Sequence, residues 1–96
     1  MTLTERQKKH LRGLGHSLKP TIMVGDSGVT EAVFAEYEST IDHHELIKIK
    51  VRVGDRRARD TIISQLCDKS GAILVQRIGN IALLYKQNPE KKKIRI

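Results

Sequence analysis

Between Leu46 and Val53 the sequence alternates without a break, with Ile47, Ile49, Val51 and Val53 on one parity and Lys48, Lys50 and Arg52 on the other. Successive side chains of a strand point to opposite faces, so this segment predicts a half-buried β-strand with a basic outer face. Thr21–Val24 is a second short apolar run, bounded by Pro20 and Gly25 and too short for a helix. Ala72–Ile78 and Ile81–Tyr85 flank Gly79-Asn80, a dipeptide suited to a two-residue hairpin turn. With 96 residues and 39% hydrophobic content the chain can bury one small core but hardly two, so these four strands belong to one domain.

Three helical patterns separate them. Thr2 and Glu5 have capping-box spacing, and Leu11, Leu14 and Leu18 recur at three and four residues before Pro20. Arg6, Lys8, Lys9 and Arg12 fall on the remaining surface of that helix. A second stripe, Val29, Ala32, Val33, Tyr37 and Ile41, runs to about His43, with Thr30 or Ser27 as the cap and Glu31, Glu36, Glu38 and Asp42 outside. The third helix starts at an Asp55 cap, buries Ala58, Ile62, Ile63, Leu66 and Cys67, and ends at Gly71. The order α-β-α-β-α-β-β predicts an α/β fold with one four-stranded mixed sheet and helices packed on it. Residues 1–87 form the single domain, and 88–96, which contain Lys91, Lys92 and Lys93, read as a solvated, mobile, basic tail.

The net charge is +7, and it is segregated: residues 21–45 contain six acids and neither Lys nor Arg, while every other stretch is basic. Segregated positive charge favours a polyanionic partner. No segment approaches the ~20 apolar residues needed to cross a bilayer, and the amino terminus has no apolar core followed by a cleavage site. One cysteine cannot form an internal disulfide. A soluble, cytoplasmic protein stabilised by packing is the expectation.

Gly25-Asp26-Ser27-Gly28 is a GxxG loop leaving a strand and opening into a helix. Glycines let backbone amides approach an anion, and the positive end of the helix dipole completes such a site. The same two glycines also suit a plain turn. Lys48, Lys50 and Arg52 form a basic face whose alternatives are solvation, protection of an edge strand, or contact with a polyanion. Arg56, Arg57 and Arg59 load the first turn of the third helix, where cations oppose the dipole, so they do not serve helix stability.

Catalytic and metal chemistry lack a signature. His43 and His44 are adjacent at a helix end with no further ligand spacing, and Cys67 falls on an apolar face. His10 and His16 have no matching carboxylate or nucleophile. No catalytic residue, metal, cofactor, membrane or small-molecule substrate is expected. Phe34, Tyr37 and Tyr85 are the only aromatics, which disfavours a sheet that stacks bases on paired rings.

The basic first helix, Leu18-Lys19-Pro20, Val24-Gly25-Asp26-Ser27-Gly28-Val29-Thr30 and His44-Glu45-Leu46-Ile47-Lys48-Ile49-Lys50 together resemble the CRM domain, in its stand-alone bacterial YhbY-type form. The resemblance spans roughly residues 3 to 86. It implies a fold similar to the carboxy-terminal domain of a bacterial translation initiation factor, RNA binding through the GxxG loop, and association with 23S rRNA precursors in the immature large subunit. Carried over by position, the RNA-binding residues are Gly25, Asp26, Ser27 and Gly28, with Lys8, Lys9, Arg12, Lys19, Lys48, Lys50 and Arg52 around them. Asp26 departs from the basic or amide residue usual in family loops. A rival reading makes the acidic second helix an adaptor that docks on a ribosomal protein.

Overall fold

The computed structural model describes residues 2–95. The elements in chain order are α1 (Glu5–Gly15), β1 (Pro20–Val24), α2 (Glu31–His44), β2 (Leu46–Val51), α3 (Arg56–Ser70), β3 (Ile73–Ile78) and β4 (Ile81–Tyr85). The sheet order is β1-β2-β4-β3, with β1 and β2 parallel and the other two pairings antiparallel. The mixed four-stranded sheet and its three helices therefore stand as the sequence predicts. β2 is paired on both sides, so its lysines do not guard an edge.

Each face of the sheet holds its own cluster. On one side Ile22, Val24, Ile47, Ile49, Val51, Ala82 and Leu84 meet Tyr37 and Ile41 of α2 and Ile62, Ile63 and Leu66 of α3. On the other, Leu46, Val75, Leu83 and Tyr85 pack with Leu3 and Leu11 under α1. A β-bulge between Leu74 and Gln76 sets this second face. Ile73 lies opposite Tyr85, Leu74 opposite Leu84, and Gln76 opposite Leu83, so Val75 and Gln76 share the α1 side where strict alternation would part them. Arg77 then returns to the α3 side and pairs with Asp60 at 3.0 Å.

The helix ends explain themselves locally, with one correction. Thr4, not Thr2, caps α1, and its partner is Gln7, not Glu5. The Gln7 N–H donates to Thr4 Oγ1 at 3.1 Å and the Thr4 N–H to Gln7 Oε1 at 2.9 Å. The physical reason is Leu3, which is buried in the second cluster and holds the chain outside the helix until Thr4. Leu14 and Leu18 are exposed, contrary to the apolar stripe read from their spacing. Gly15 takes the close contact instead: a Cβ there would stand 2.6 Å from Leu83 Cδ2. Thr30 caps α2 by accepting the Val33 N–H at 3.1 Å, and Asp55 caps α3 through Arg57 N–H at 3.2 Å. Gly71, at φ +80°, ends α3 as expected.

Residues 88–95, read as a solvated tail, fold back toward Glu45, and Ile96 lies outside the described residues. Glu45 follows α2 with φ +65° and is fully buried. Its carboxylate accepts the N–H groups of Asn88 (2.6 Å), Lys93 (2.5 Å) and Ile94 (2.9 Å), and its carbonyl accepts that of Lys86 (2.8 Å). Ile94 is half-buried against the second cluster. Burial alone would raise the Glu45 pKa, but those three amides and nearby Lys92 together hold it below the ordinary carboxylate value.

Candidate nucleic-acid interface

β1 delivers the chain to Gly25, and the loop closes when the Gly28 N–H donates to Gly25 O at 3.0 Å. Gly28 has φ +73°, a conformation that a side chain would strain, whereas Gly25 has open space around it and no such demand. The amides of Asp26 and Ser27 have no partner among the described residues. Asp26 and Ser27 are exposed. The loop then feeds α2, whose first turn is capped by Thr30.

β2 brings the cations to this loop. Lys50 stands opposite Met23, and the Arg52 backbone N–H donates to Val24 O at 2.7 Å, which sets Arg52 level with the start of the loop. The Arg52 guanidinium lies 3.9 Å from Met23 Sδ. Lys48, Lys50 and Arg52 thus form a row directed at Gly25, on the side of the sheet away from α2 and α3, with neighbours about 7 Å apart by strand geometry. Among the described residues none of the three meets a carboxylate within 4.0 Å; the ion pairs are Lys8–Glu5, Arg77–Asp60 and Lys86–Asp42. Lys48 and Lys50 are half-buried along their stems, and Arg52 is exposed.

Other candidates take different places. Lys8, Lys9 and Arg12 ride on α1, which crosses this same face of the sheet, and exposed Lys19 precedes β1; none belongs to the strand row. Lys8 is within 3.9 Å of Glu5. Arg59 turns inward, its Nη1 donating to Val53 O at 2.9 Å and Gly54 O at 3.3 Å, so it braces the turn before α3. Arg56 and Arg57 stay exposed. On the acidic helix, Asp42 is engaged by Lys86 Nζ at 2.8 Å, while Glu31 and Glu36 are exposed.

Among the described residues no three His, Cys, Asp or Glu side chains gather into a metal-binding group, and no helix is long and apolar enough to cross a membrane. Cys67 is half-buried, its thiol pushed up by burial and by neighbouring Asp68. Sequence reasoning missed Met23 and Ile78, large apolar side chains left exposed on the α1 side of the sheet. The period-two pattern signalled the face of Met23; the bulge that places Ile78 beside Gln76 left no such signal.

A glycine turn leaving a strand for a capped helix, met by a row of cations on a four-stranded mixed sheet, describes a small α/β domain whose cationic row runs into a glycine loop. The chain belongs to the CRS1 / YhbY (CRM) domain family, which it matches over residues 3–86. It is 44% identical over 93 residues to a protein of Pseudomonas aeruginosa named Probable RNA-binding protein, a match covering 97% of this chain and 89% of that one. An RNA-binding protein of Haemophilus influenzae is 45% identical over 91 residues, covering 95% and 92% of the two chains. The solution structure of a hypothetical protein from Staphylococcus aureus superposes with a TM-score of 0.84 at 29% identity, covering 99% of each chain.

Proposed function

We propose that this protein binds RNA by its phosphate backbone, along Lys48, Lys50 and Arg52 into the Gly25–Gly28 loop, as an assembly factor on 23S rRNA precursors of the large ribosomal subunit. The observation that carries the reading is the row of three cations without acidic partners that runs into a loop with unpartnered amides. Phosphate contacts of this kind fix position on an RNA without reading its sequence. The names of the relatives support RNA as the partner class. Lys8, Lys9, Arg12 and Lys19 extend the same positive field across α1, and the reading assigns no catalytic step to any residue.

Gly25→Glu is the clean test, because Gly25 has room for a side chain and no positive φ, whereas Gly28→Glu would strain the turn as well. The variant sets a carboxylate at the loop, and fluorescence anisotropy with an rRNA fragment should show about tenfold weaker binding in a protein with an unchanged melting curve. Unchanged affinity would remove the loop from the mechanism. In-cell crosslinking addresses the ribosomal part: sharp peaks in precursor rRNA that vanish in the variant support it. Recovery of ribosomal proteins without RNA would overturn it in favour of docking by the acidic face of α2.

A further inference from the structure

α1 covers only part of its side of the sheet. Beyond Gly15, where the helix presses on Leu83, the chain turns away through His16 and leaves a recess of about 300 Å³ lined by His16, Lys48, Gln76, Ile78, Ile81 and Leu83. Strand register gives the recess its order. Across β3, β4 and β2 one row reads Gln76, Leu83, Lys48, and the next reads Ile78, Ile81, Lys50, continuing to Met23 on β1. The floor is therefore aliphatic, Gln76 stands at one border and Lys48 at the other, with Lys50 one row beyond the recess and His16 on its lining. Ile78, 67% exposed, leaves the floor open to solvent.

The amide is there because of the bulge. Had β3 alternated regularly from Ile73, position 76 would face α3; the extra residue puts Gln76 on the recess side, opposite Leu83. Gln76 offers two N–H donors and a carbonyl acceptor, the complement of a base edge. An aliphatic floor accepts the flat apolar face of a base, His16 supplies a ring at the rim, and Lys48 and Lys50 lie where the attached phosphates would run. The volume is at the low end for a ligand site, suited to one base and not to a base pair. The lysine border is the start of the row that leads to Gly25, so a strand held on that row passes the recess.

We infer that this recess is a base pocket, in which one unpaired nucleotide of the bound RNA lies on Leu83 and Ile81 with its edge on Gln76. The inference rests on the RNA-binding reading above and adds to it a contact with a base. The test compares a single-stranded octauridylate, the matching octaadenylate and an eight-unit abasic strand in anisotropy titrations of the whole protein, together with Gln76→Ala and Ile78→Glu. Both positions are open enough for the variants to fold, which circular dichroism checks. In the wild type a base-bearing strand should bind about tenfold more tightly than the abasic one, and either variant should bring that ratio close to one. A wild-type ratio of one, or a ratio that survives both substitutions, would overturn the base pocket while leaving phosphate binding in place. Failure of the wild type to bind any of the three strands would overturn the RNA-binding reading itself, and the pocket with it.

Discussion

Replacing Glu45 by Gln should unfasten the carboxy-terminal strap, and the size of the effect follows from its three donors. Oε1 accepts Lys93 and Ile94, and Oε2 accepts Asn88. A hydrogen bond to a charged group contributes about 1.5–3 kcal/mol, against about 0.5–1.5 kcal/mol for a neutral one. Glutamine keeps its oxygen for two donors, losing about 1 kcal/mol on each, but turns an NH₂ toward the third. Part of the loss is recovered because water reaches the half-exposed strap. The expected destabilisation is roughly 2–4 kcal/mol by urea unfolding. Hydrogen exchange should show faster exchange at the amides of Asn88, Lys93 and Ile94, ahead of the sheet amides. A loss under about 0.5 kcal/mol, with those three amides still protected, would refute the assignment of Glu45 as the pin. Glu45→Gly sharpens the point: it removes the carboxylate but also the cost of φ +65° in a residue with a Cβ, about 1–2 kcal/mol, so it should be less damaging than Glu45→Ala.

Four further outcomes follow from the same geometry. Because the folded pKa of Glu45 lies below its unfolded value of 4.5, its contribution is complete above that pH and is lost as pH falls through the folded value. Strap amides followed by exchange-corrected NMR should therefore stay protected from neutrality down to the unfolded value, and open on further acidification; opening between pH 6 and 7, two units or so above it, would contradict the sign. Gly15→Ala should cost about 1–3 kcal/mol in thermal unfolding, since its Cβ would force Leu83 aside; an unchanged melting temperature would mean that the flexible Leu83 side chain yields freely. Tyr85→Phe removes a buried hydroxyl with no partner among the described residues and should be neutral or stabilising by up to about 1 kcal/mol, whereas a clear loss would reveal a hydrogen bond made by that group. Arg52→Gln should lower the slope of log K against log salt for single-stranded RNA by about 0.7; an unchanged slope would detach Arg52 from phosphate.

What was legible in the sequence is what repeats. The alternation from Ile47 to Val51, the Gly79-Asn80 turn and the Asp55 and Gly71 boundaries of α3 are local periodicities or local backbone needs, and each stands in the structure, although β2 stops at Val51, two residues short of the Val53 end that alternation predicts. Thr30, Gly25 and Gly28 were readable for the same reason. The capping box of α1 was misread because two Thr residues compete and only the burial of Leu3 decides between them. Leu14 and Leu18 keep helical spacing, yet the helix is tilted down onto Leu83 through Gly15, a contact that no spacing rule can announce. The bulge at Val75 and Gln76 is likewise decided by cross-strand pairing with Leu83, and its product, an amide on the open side, is invisible until the register is known.

The parallel pairing of β1 with β2 ties the remaining pieces together. Parallel neighbours end at the same edge, so the loop after β1 and Arg52 after β2 emerge side by side, where open α/β sheets place their ligands. Had β1 paired antiparallel to β2, the glycine turn and the end of the lysine row would lie at opposite edges, and no continuous cationic path would reach the loop amides. α2 is the crossover that makes the parallel pairing, and it carries Glu31 and Glu36 out to solvent, away from the row. Topology therefore keeps these acids apart from the row: Glu31 and Glu36 sit on the connection, and Lys48 and Lys50 on the strand it returns to. Reversing Lys50 to Glu would place a carboxylate in the middle of that path, between Met23 and Ile81. Binding to the abasic strand should then fall by more than the loss of Lys19 on the β1 approach produces. Equal losses from Lys50→Glu and Lys19→Glu would mean that the protein attracts RNA by its overall field, without a path.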